Sequence, residues 1–379
     1  MEAAPAVPGK PQQLATRIVF FFAGLCMAAW APLVPYAKAR AEIEDGLLGL
    51  LLLCLGAGSI VAMPLAGAIA ARLGCRFMIV MATVLLCVSL PLLASVSSFP
   101  GLMLSLLLFG ASLGALDVTM NIQAILVERA SGRTMMSGFH GLFSLGGIVG
   151  AVVVTLLLGA EVSPMNATFA IVAASLILLA SVAVALLPYG SRTEGPLFAF
   201  PHGIVLLIGA VCFIAFLTEG AVLDWSAVFL SSARGMETSH AGLGYAAFAV
   251  IMTLMRLTGD RMVRKIGESR LLFWGGLIAA GGVVLATLGP SWEWALVGYA
   301  LVGGGCANMA PVMFSAAGRQ TVMPENVAVP AITSLGYAGI LAGPAAIGFI
   351  SHLTSLSVAF LIVAVLLVGV SCSVRFLRL

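Results

Sequence analysis

Charge is what this chain has least of. Among 379 residues, Lys and Arg supply 18 and Asp and Glu 15, which makes 9% charged residues. A soluble globular chain carries about 25%, so this one cannot clothe a water-facing surface of its size. The net charge is +3, with no basic tract and no basic-aromatic stripe, which argues against nucleic acid as a partner. Cysteine is sparse as well. Of Cys26, Cys54, Cys75, Cys87, Cys212, Cys306 and Cys372, six lie in apolar runs and Cys75 in a turn. None forms a CxxC pair, so neither a zinc site nor a disulfide framework is indicated, and small buried thiols are expected. Soluble-enzyme signatures are missing too. There is no Walker loop, no HExxH, no GxSxG and no dinucleotide fingerprint after a strand. No catalytic residue, metal ligand or cofactor is therefore expected. ATP-driven pumping by this chain alone is disfavoured, which leaves an ion gradient or passive flow.

What is present in abundance is apolar sequence. Hydrophobic residues make up 61% and the mean hydropathy is +1.15. At about 20 residues per spanning helix, the length accommodates about a dozen helices. The runs are too long and too continuously apolar for barrel strands. The expected fold is therefore all-α integral membrane, with twelve transmembrane helices in two six-helix halves. The spans fall roughly at 14–36, 46–70, 77–95, 101–127, 137–160, 165–188, 203–231, 241–258, 271–289, 292–317, 327–350 and 355–374. Residues 1–13 read as a disordered tail, 14–188 as the first bundle, 189–202 as a cytoplasmic linker and 203–379 as the second bundle. Pro32, Pro35 and charged residues follow the first apolar run where a signal peptide would have small residues, so a retained helix is expected.

Lys and Arg set the orientation. With the N-terminus inside, the inner segments carry Lys10, Arg17, Arg72, Arg76, Arg129, Arg133, Arg192, Arg256, Arg261, Arg264, Lys265, Arg270, Arg319, Arg375 and Arg378. The outer loops carry only Lys38, Arg40 and Arg234. Both termini are then cytoplasmic. An internal repeat shows at an offset of about 190 residues, with parallel orientation of equivalent spans. Ser144-Leu145-Gly146 is echoed by Ser334-Leu335-Gly336, the Gly-rich start of span four by Gly303–Gly305, and the turn at Gly67–Arg76 by Gly259–Arg270.

Against this apolar background the polar residues stand out. In span four, Gly110, Gly114, Asp117 and Asn121 step by four, three and four along one helix face. In span five, His140 and Ser144 share a face, and Gly146 and Gly150 form a GxxxG pair. Ionisable groups at membrane depth must face protein or water. Asp117, Glu219, His140 and Asp224 are thus the proton-coupling candidates. The alternatives are a structural hydrogen bond for Asp117 and an interfacial anchor for His140. If Asp117, Asn121 and His140 meet, they form a proton-binding cluster on the inner side of a cavity. Glu219 and Asp224 are five residues apart, about 140° around the helix, so one cavity cannot take both squarely. The candidates for lining a substrate cavity are Trp30, Asn121, Gln123, Ser144, Asn308, Thr333 and Tyr337. Each of the hydrogen-bonding ones serves equally as glue between helices.

The turn GAIAARLGCR has glycines for a tight reversal and arginines for the inner interface. Together with its counterpart GDRMVRKIGESR it resembles the signature of the major facilitator superfamily, G-x-x-x-D-R-x-G-R-R/K, which lies between helices two and three and again between eight and nine. Gly67, Arg72, Gly74 and Arg76 fit that pattern, and Ala71 stands where the acid is expected. In the second half Asp260, Arg261 and Arg264 fall in the loop, with the acid shifted in register. The resemblance implies inner gate loops at these positions. The segments GLCMAAWAPLVPYAKAR, LDVTMNIQAILVER, FHGLFSLGG, EGAVLDWSAVFL and RLTGDR are similar to one bacterial branch of that superfamily. The branch contains a rhizopine-transport protein and uncharacterised inner-membrane relatives, and is distantly similar to fucose permease. It implies a secondary active transporter of the bacterial inner membrane working by alternating access. The expected partners are a small-molecule substrate, a proton and the lipid bilayer, and the expected state is a monomer. A proton-coupled carrier of a sugar, polyol or related polar solute is the first reading. An efflux carrier for drug-like amphipathic compounds and a non-transporting membrane sensor are the alternatives.

Overall fold

The computed structural model describes residues 8–43, 45–191, 199–237 and 240–377. Among them there are helices and no strands. In chain order they are α1 (Lys10–Ala29), α2 (Val34–Arg40), α3 (Asp45–Leu73), α4 (Cys75–Ser95), α5 (Phe99–Ser131), α6 (Met136–Gly159), α7 (Pro164–Val182), α8 (Gly203–Arg234), α9 (Leu243–Ile266), α10 (Glu268–Leu288), α11 (Trp292–Cys306), α12 (Met309–Arg319), α13 (Glu325–Leu353) and α14 (Leu356–Leu377). Among the described residues, eleven stretches are long and apolar enough to cross a membrane, counting Lys10–Arg40 and Trp292–Arg319 as one crossing each. The twelfth span is α9, which has 24 residues but carries Arg256, Asp260, Arg261, Arg264 and Lys265. Residues 1–7 of the expected tail and 192–198 of the expected linker lie outside the described residues. Within that tail, helix already begins at Lys10, where the Gly9 N–H donates to Gln12 Oε1 at 2.8 Å.

Two spans are broken, each at proline. In the first, Pro32 and Pro35 supply no N–H, and α1 passes through a 3₁₀ turn at Ala31–Leu33 into α2. In the tenth, Pro311 lies four residues after Ala307, so the Ala307 carbonyl has no helical donor. The chain breaks there between α11 and α12.

The chain forms two compact units. One comprises Met1–Met135, Leu142–Phe200 and Met323–Ala331. The other comprises Met136–Gly141, Pro201–Val322 and Ile332–Leu379. The start of α6 thus belongs to the second unit, and the start of α13 to the first.

Within each unit the helices approach through the same contacts. A Cβ on Gly110 would lie 1.9 Å from the Leu55 carbonyl oxygen, and one on Gly303 2.2 Å from that of Phe248. In the first unit, Gly146 and Gly150 of α6 press on the carbonyls of Phe21 and Leu25. In the second, Gly339 and Gly343 of α13 press on Phe213 and Leu217. Gly74 and Gly267 take positive φ at the starts of α4 and α10. These pairs stand 192 or 193 residues apart, so the repeat is real and its spacing is slightly longer than the echoes implied. The Ser-Leu-Gly echo is three residues out of register. The residues that share positions are His140 with Thr333 and Ser144 with Tyr337.

Candidate functional site

In the first unit, α5 presents Asp117 and Asn121 one turn apart, as the spacing predicted. Asn121 Nδ2 donates to Asp117 Oδ1 at 3.1 Å and to the Asp117 carbonyl at 2.9 Å. Asp117 is half-buried and, among the described residues, has no partner except Asn121. Asn121 is fully buried, and its Oδ1 has no hydrogen-bond partner among the described residues. Asp117 lies 14 residues from the Ser131 end of α5, about 21 Å at 1.5 Å per residue, well inside the apolar span.

Gln123 does something other than line a cavity. It is buried, its Nε2 donates to Thr16 Oγ1 at 3.1 Å, and its Oε1 accepts from the Leu187 N–H at 3.2 Å. Both ends of the amide are spent fastening α5 to α1 and to the chain that leaves α7. Arg76 holds the same chain. Its Nε donates to the Leu186 carbonyl at 3.0 Å and its Nη2 also bonds the carbonyls of Val184 and Leu186. The Cys75 and Arg76 N–H groups reach the carbonyls of Tyr189 and Leu187. Thus Gly74 and Arg76, expected in an inner gate, seat the exit of the first half. Arg72 is exposed. Gly67 lies against α13, where a Cβ would meet Pro330 Cγ at 2.4 Å. Beside it Arg129 pairs with Glu325 at 2.9 Å. Trp30 is buried at the first broken span, and among the described residues its indole N–H has no partner.

The second unit holds an ion pair the sequence did not reveal. Arg256 of α9, only 6% exposed, points its Nη2 at Glu219 Oε2 of α8 at 3.4 Å. Its Nε donates to the Ala307 carbonyl at 3.1 Å, the oxygen that Pro311 leaves without a donor. Glu219 is 16 residues into its helix and Arg256 13 residues into the antiparallel α9, so both lie near the middle of their spans. The positive-inside count had placed Arg256 in a cytoplasmic segment. The expected span ended at residue 258, but α9 runs on to Ile266, ten residues past Arg256, and the side chain is buried among helices. Burying an isolated guanidinium or carboxylate costs several kcal/mol, and their proximity offsets that cost. Tyr245, three turns before Arg256 on α9, stacks on Phe248 at 6.0 Å.

Asp224 is exposed and, among the described residues, makes no hydrogen bond or ion pair. Its neighbour Trp225 donates to the Pro344 carbonyl at 3.1 Å. Asn308 sits in the α11–α12 break, buried, with Nδ2 at 3.5 Å from the Met255 carbonyl and Oδ1 packed against Gly259. It serves helix contact, as Gln123 does. His140 is buried and stacks on Phe314 at 5.5 Å within the second unit. Asp117 and Asn121 belong to the other unit, so the three form no cluster within either. Thr333 is buried, while Ser144 and Tyr337 are half-buried.

Asp260 caps the start of α6. Its Oδ1 accepts from the Ser137 N–H at 3.0 Å and its Oδ2 from the Gly138 N–H at 3.1 Å, a favourable use of a carboxylate at a helix N-terminus. Arg261 and Arg264 are exposed. By the 193-residue spacing, Asp260 corresponds to Gly67 and Ser137 to Pro330. The first half therefore lacks the carboxylate acceptor and one of the two N–H donors of this contact. A cavity of about 500 Å³ also opens in the second unit, lined by Gly203, Leu207, Arg319 and Phe376 among others. It lies at helix ends and includes neither Glu219 nor Arg256. No group of three or more possible metal ligands occurs among the described residues.

A family model described as Major Facilitator Superfamily matches residues 17–319. An uncharacterised MFS-type transporter of Yersinia pestis is 55% identical over 369 residues, covering 97% of this chain and 96% of the relative. Membrane protein MosC of Rhizobium meliloti is 31% identical over 385 residues, covering 97% and 91%. Among solved structures, a variant of the E. coli fucose:proton symporter FucP gives a TM-score of 0.82 at 16% identity, with 96% of this chain and 98% of that chain covered.

Proposed function

Since the chain belongs to the Major Facilitator Superfamily and is a membrane transporter rather than an enzyme, we propose that it couples proton movement to the passage of a small polar solute. Asp117 carries this reading. A carboxyl group held inside an apolar helix, with a carboxamide as its one partner among the described residues, has no cation among them to keep it ionised. Left charged in a dehydrated site it is costly, and a proton removes that cost. Open to water it releases the proton again. Glu219, by contrast, has the guanidinium of Arg256 beside it at 3.4 Å. A neutral, hydroxylated solute such as a sugar or polyol suits a protein whose cavity candidates, once Gln123 and Asn308 are set aside, are still hydrogen-bonding and aromatic side chains. The shared fold with a fucose:proton symporter supports this reading.

The test starts from a thermal-shift screen of the purified protein over sugars, polyols, amino acids and drug-like cations. The stabilising solute is then taken up into proteoliposomes loaded with a pH-sensitive dye. Solute entry should shift the internal pH, and a protonophore should collapse accumulation. Counterflow with no pH change and no protonophore effect would reduce the protein to a passive or differently coupled carrier.

We place the protein in a bacterial inner membrane with both termini in the cytoplasm. The charge asymmetry of the loops supports this even after Arg256 moves into the membrane. A tag after Leu379 should react only in permeabilised cells, and a tag at Glu161 in intact spheroplasts. The reverse pattern would invert the topology.

A further inference from the structure

The break between α11 and α12 and the Glu219–Arg256 pair are one construction. In a continuous helix the carbonyl of Ala307 would accept from the N–H of residue 311, but Pro311 has none. A buried carbonyl without a donor is destabilising. The Nε of Arg256 supplies the missing donor at 3.1 Å, while the Nη2 of the same guanidinium faces Glu219 at 3.4 Å. The planar fork of arginine presents several donors in fixed geometry, so one side chain serves both acceptors. The Val312 N–H bonds the Asn308 carbonyl at 3.1 Å, so α12 resumes directly after the break. Cys306, the last residue of α11, is buried.

We propose that Arg256 is a positioning residue, whose guanidinium replaces the N–H that Pro311 lacks and is held in place by the negative charge of Glu219, so that neutralising Glu219 frees the α11–α12 break. This deepens the reading of Glu219 given above and rests on it only for the role of the motion in transport. The test needs no solute and no proton gradient, so its failure leaves the assignment of Asp117 standing.

Cys306 reports on the break from within the chain. Its rate of reaction with N-ethylmaleimide is followed by peptide-resolved mass spectrometry on the full-length protein in membranes. Cys26 and Cys212, also buried, serve as references. Arg256→Lys keeps a positive charge for Glu219 but gives up the fork, and Glu219→Gln removes the charge that holds the fork. Each should raise the Cys306 rate at least about tenfold, a shift of about 1.4 kcal/mol in the opening equilibrium, with the two reference thiols unchanged. Adding Pro311→Ala restores the N–H at residue 311 and should return both variants to within about twofold of the parent. If Arg256→Lys is lost from the membrane, its level becomes the readout, and Pro311→Ala should restore it. Three results each overturn the proposal: an unchanged Cys306 rate, a rise shared by Cys26 and Cys212, or a failure of Pro311→Ala to reverse the effect.

Discussion

Arg256→Met should destabilise the protein by about 3 kcal/mol, the lower end of the range for removing one partner of a buried ion pair. The lower end applies because Glu219 is only partly buried, at 25% side-chain exposure. Two deficits are created together: a carboxylate without its cation and an Ala307 carbonyl without its donor. The double variant Arg256→Met/Glu219→Leu removes the first and leaves the second. It should regain most of the loss and stay about 1 kcal/mol below the parent, the cost of one unmet buried acceptor. Adding Pro311→Ala to that double variant should close the remaining gap. The measurement is reversible unfolding of purified protein in mixed micelles. A single variant as stable as the parent would show that the pair contributes nothing. A double variant no better than the single would place the loss elsewhere than in the stranded charge.

Asp117→Asn should abolish proton-driven accumulation and spare exchange. One coupled proton crossing a gradient of one pH unit supplies about 1.4 kcal/mol, enough for about tenfold accumulation of a neutral solute. Asparagine keeps the size of the side chain and its contact with Asn121 but cannot take up a proton. The steady-state concentration ratio should therefore fall from about ten to about one under such a gradient, while solute counterflow stays within about threefold of the parent. Accumulation that persists in Asp117→Asn would transfer the coupling role to another group and leave Asp117 as a helix-bonding residue.

Local pattern in the sequence reached as far as contacts along one helix. The spans were legible because lipid demands about 20 apolar residues from each. The Asp117–Asn121 contact was legible because four residues make one turn. Gln123 was not, since its two partners, Thr16 and Leu187, lie 107 and 64 residues away, and a buried amide reads the same whether it faces a cavity or a helix. Arg256 was concealed by a rule that works on average. Every Arg near a span end adds to the positive-inside count, and only the partner on α8 shows that this one lies in the membrane. The repeat was visible but three residues out of register on α6 and α13, because Ser, Leu and Gly are common in such helices. The carbonyl oxygens that press on Gly146 and Gly339 give the true spacing. The first-half signature loop was recognised, yet its arginine is used to seat the chain after α7, a role that depends on a segment more than a hundred residues later.

The membership of Met323–Ala331 in the first unit bears on how the protein is made. Ribosomal synthesis and membrane insertion proceed from the N-terminus, so α1 to α7 reach the bilayer long before residue 323 exists. Until then Arg129 waits for Glu325, and Gly67 for the Pro330 ring that packs on it. The second unit has the opposite schedule. Its Met136–Gly141 segment is already in place when Asp260 emerges to cap it. A nascent chain stalled near residue 200 therefore holds a first unit with an open seat. Two separately expressed halves, meeting in the membrane, would each bring the piece that completes the other.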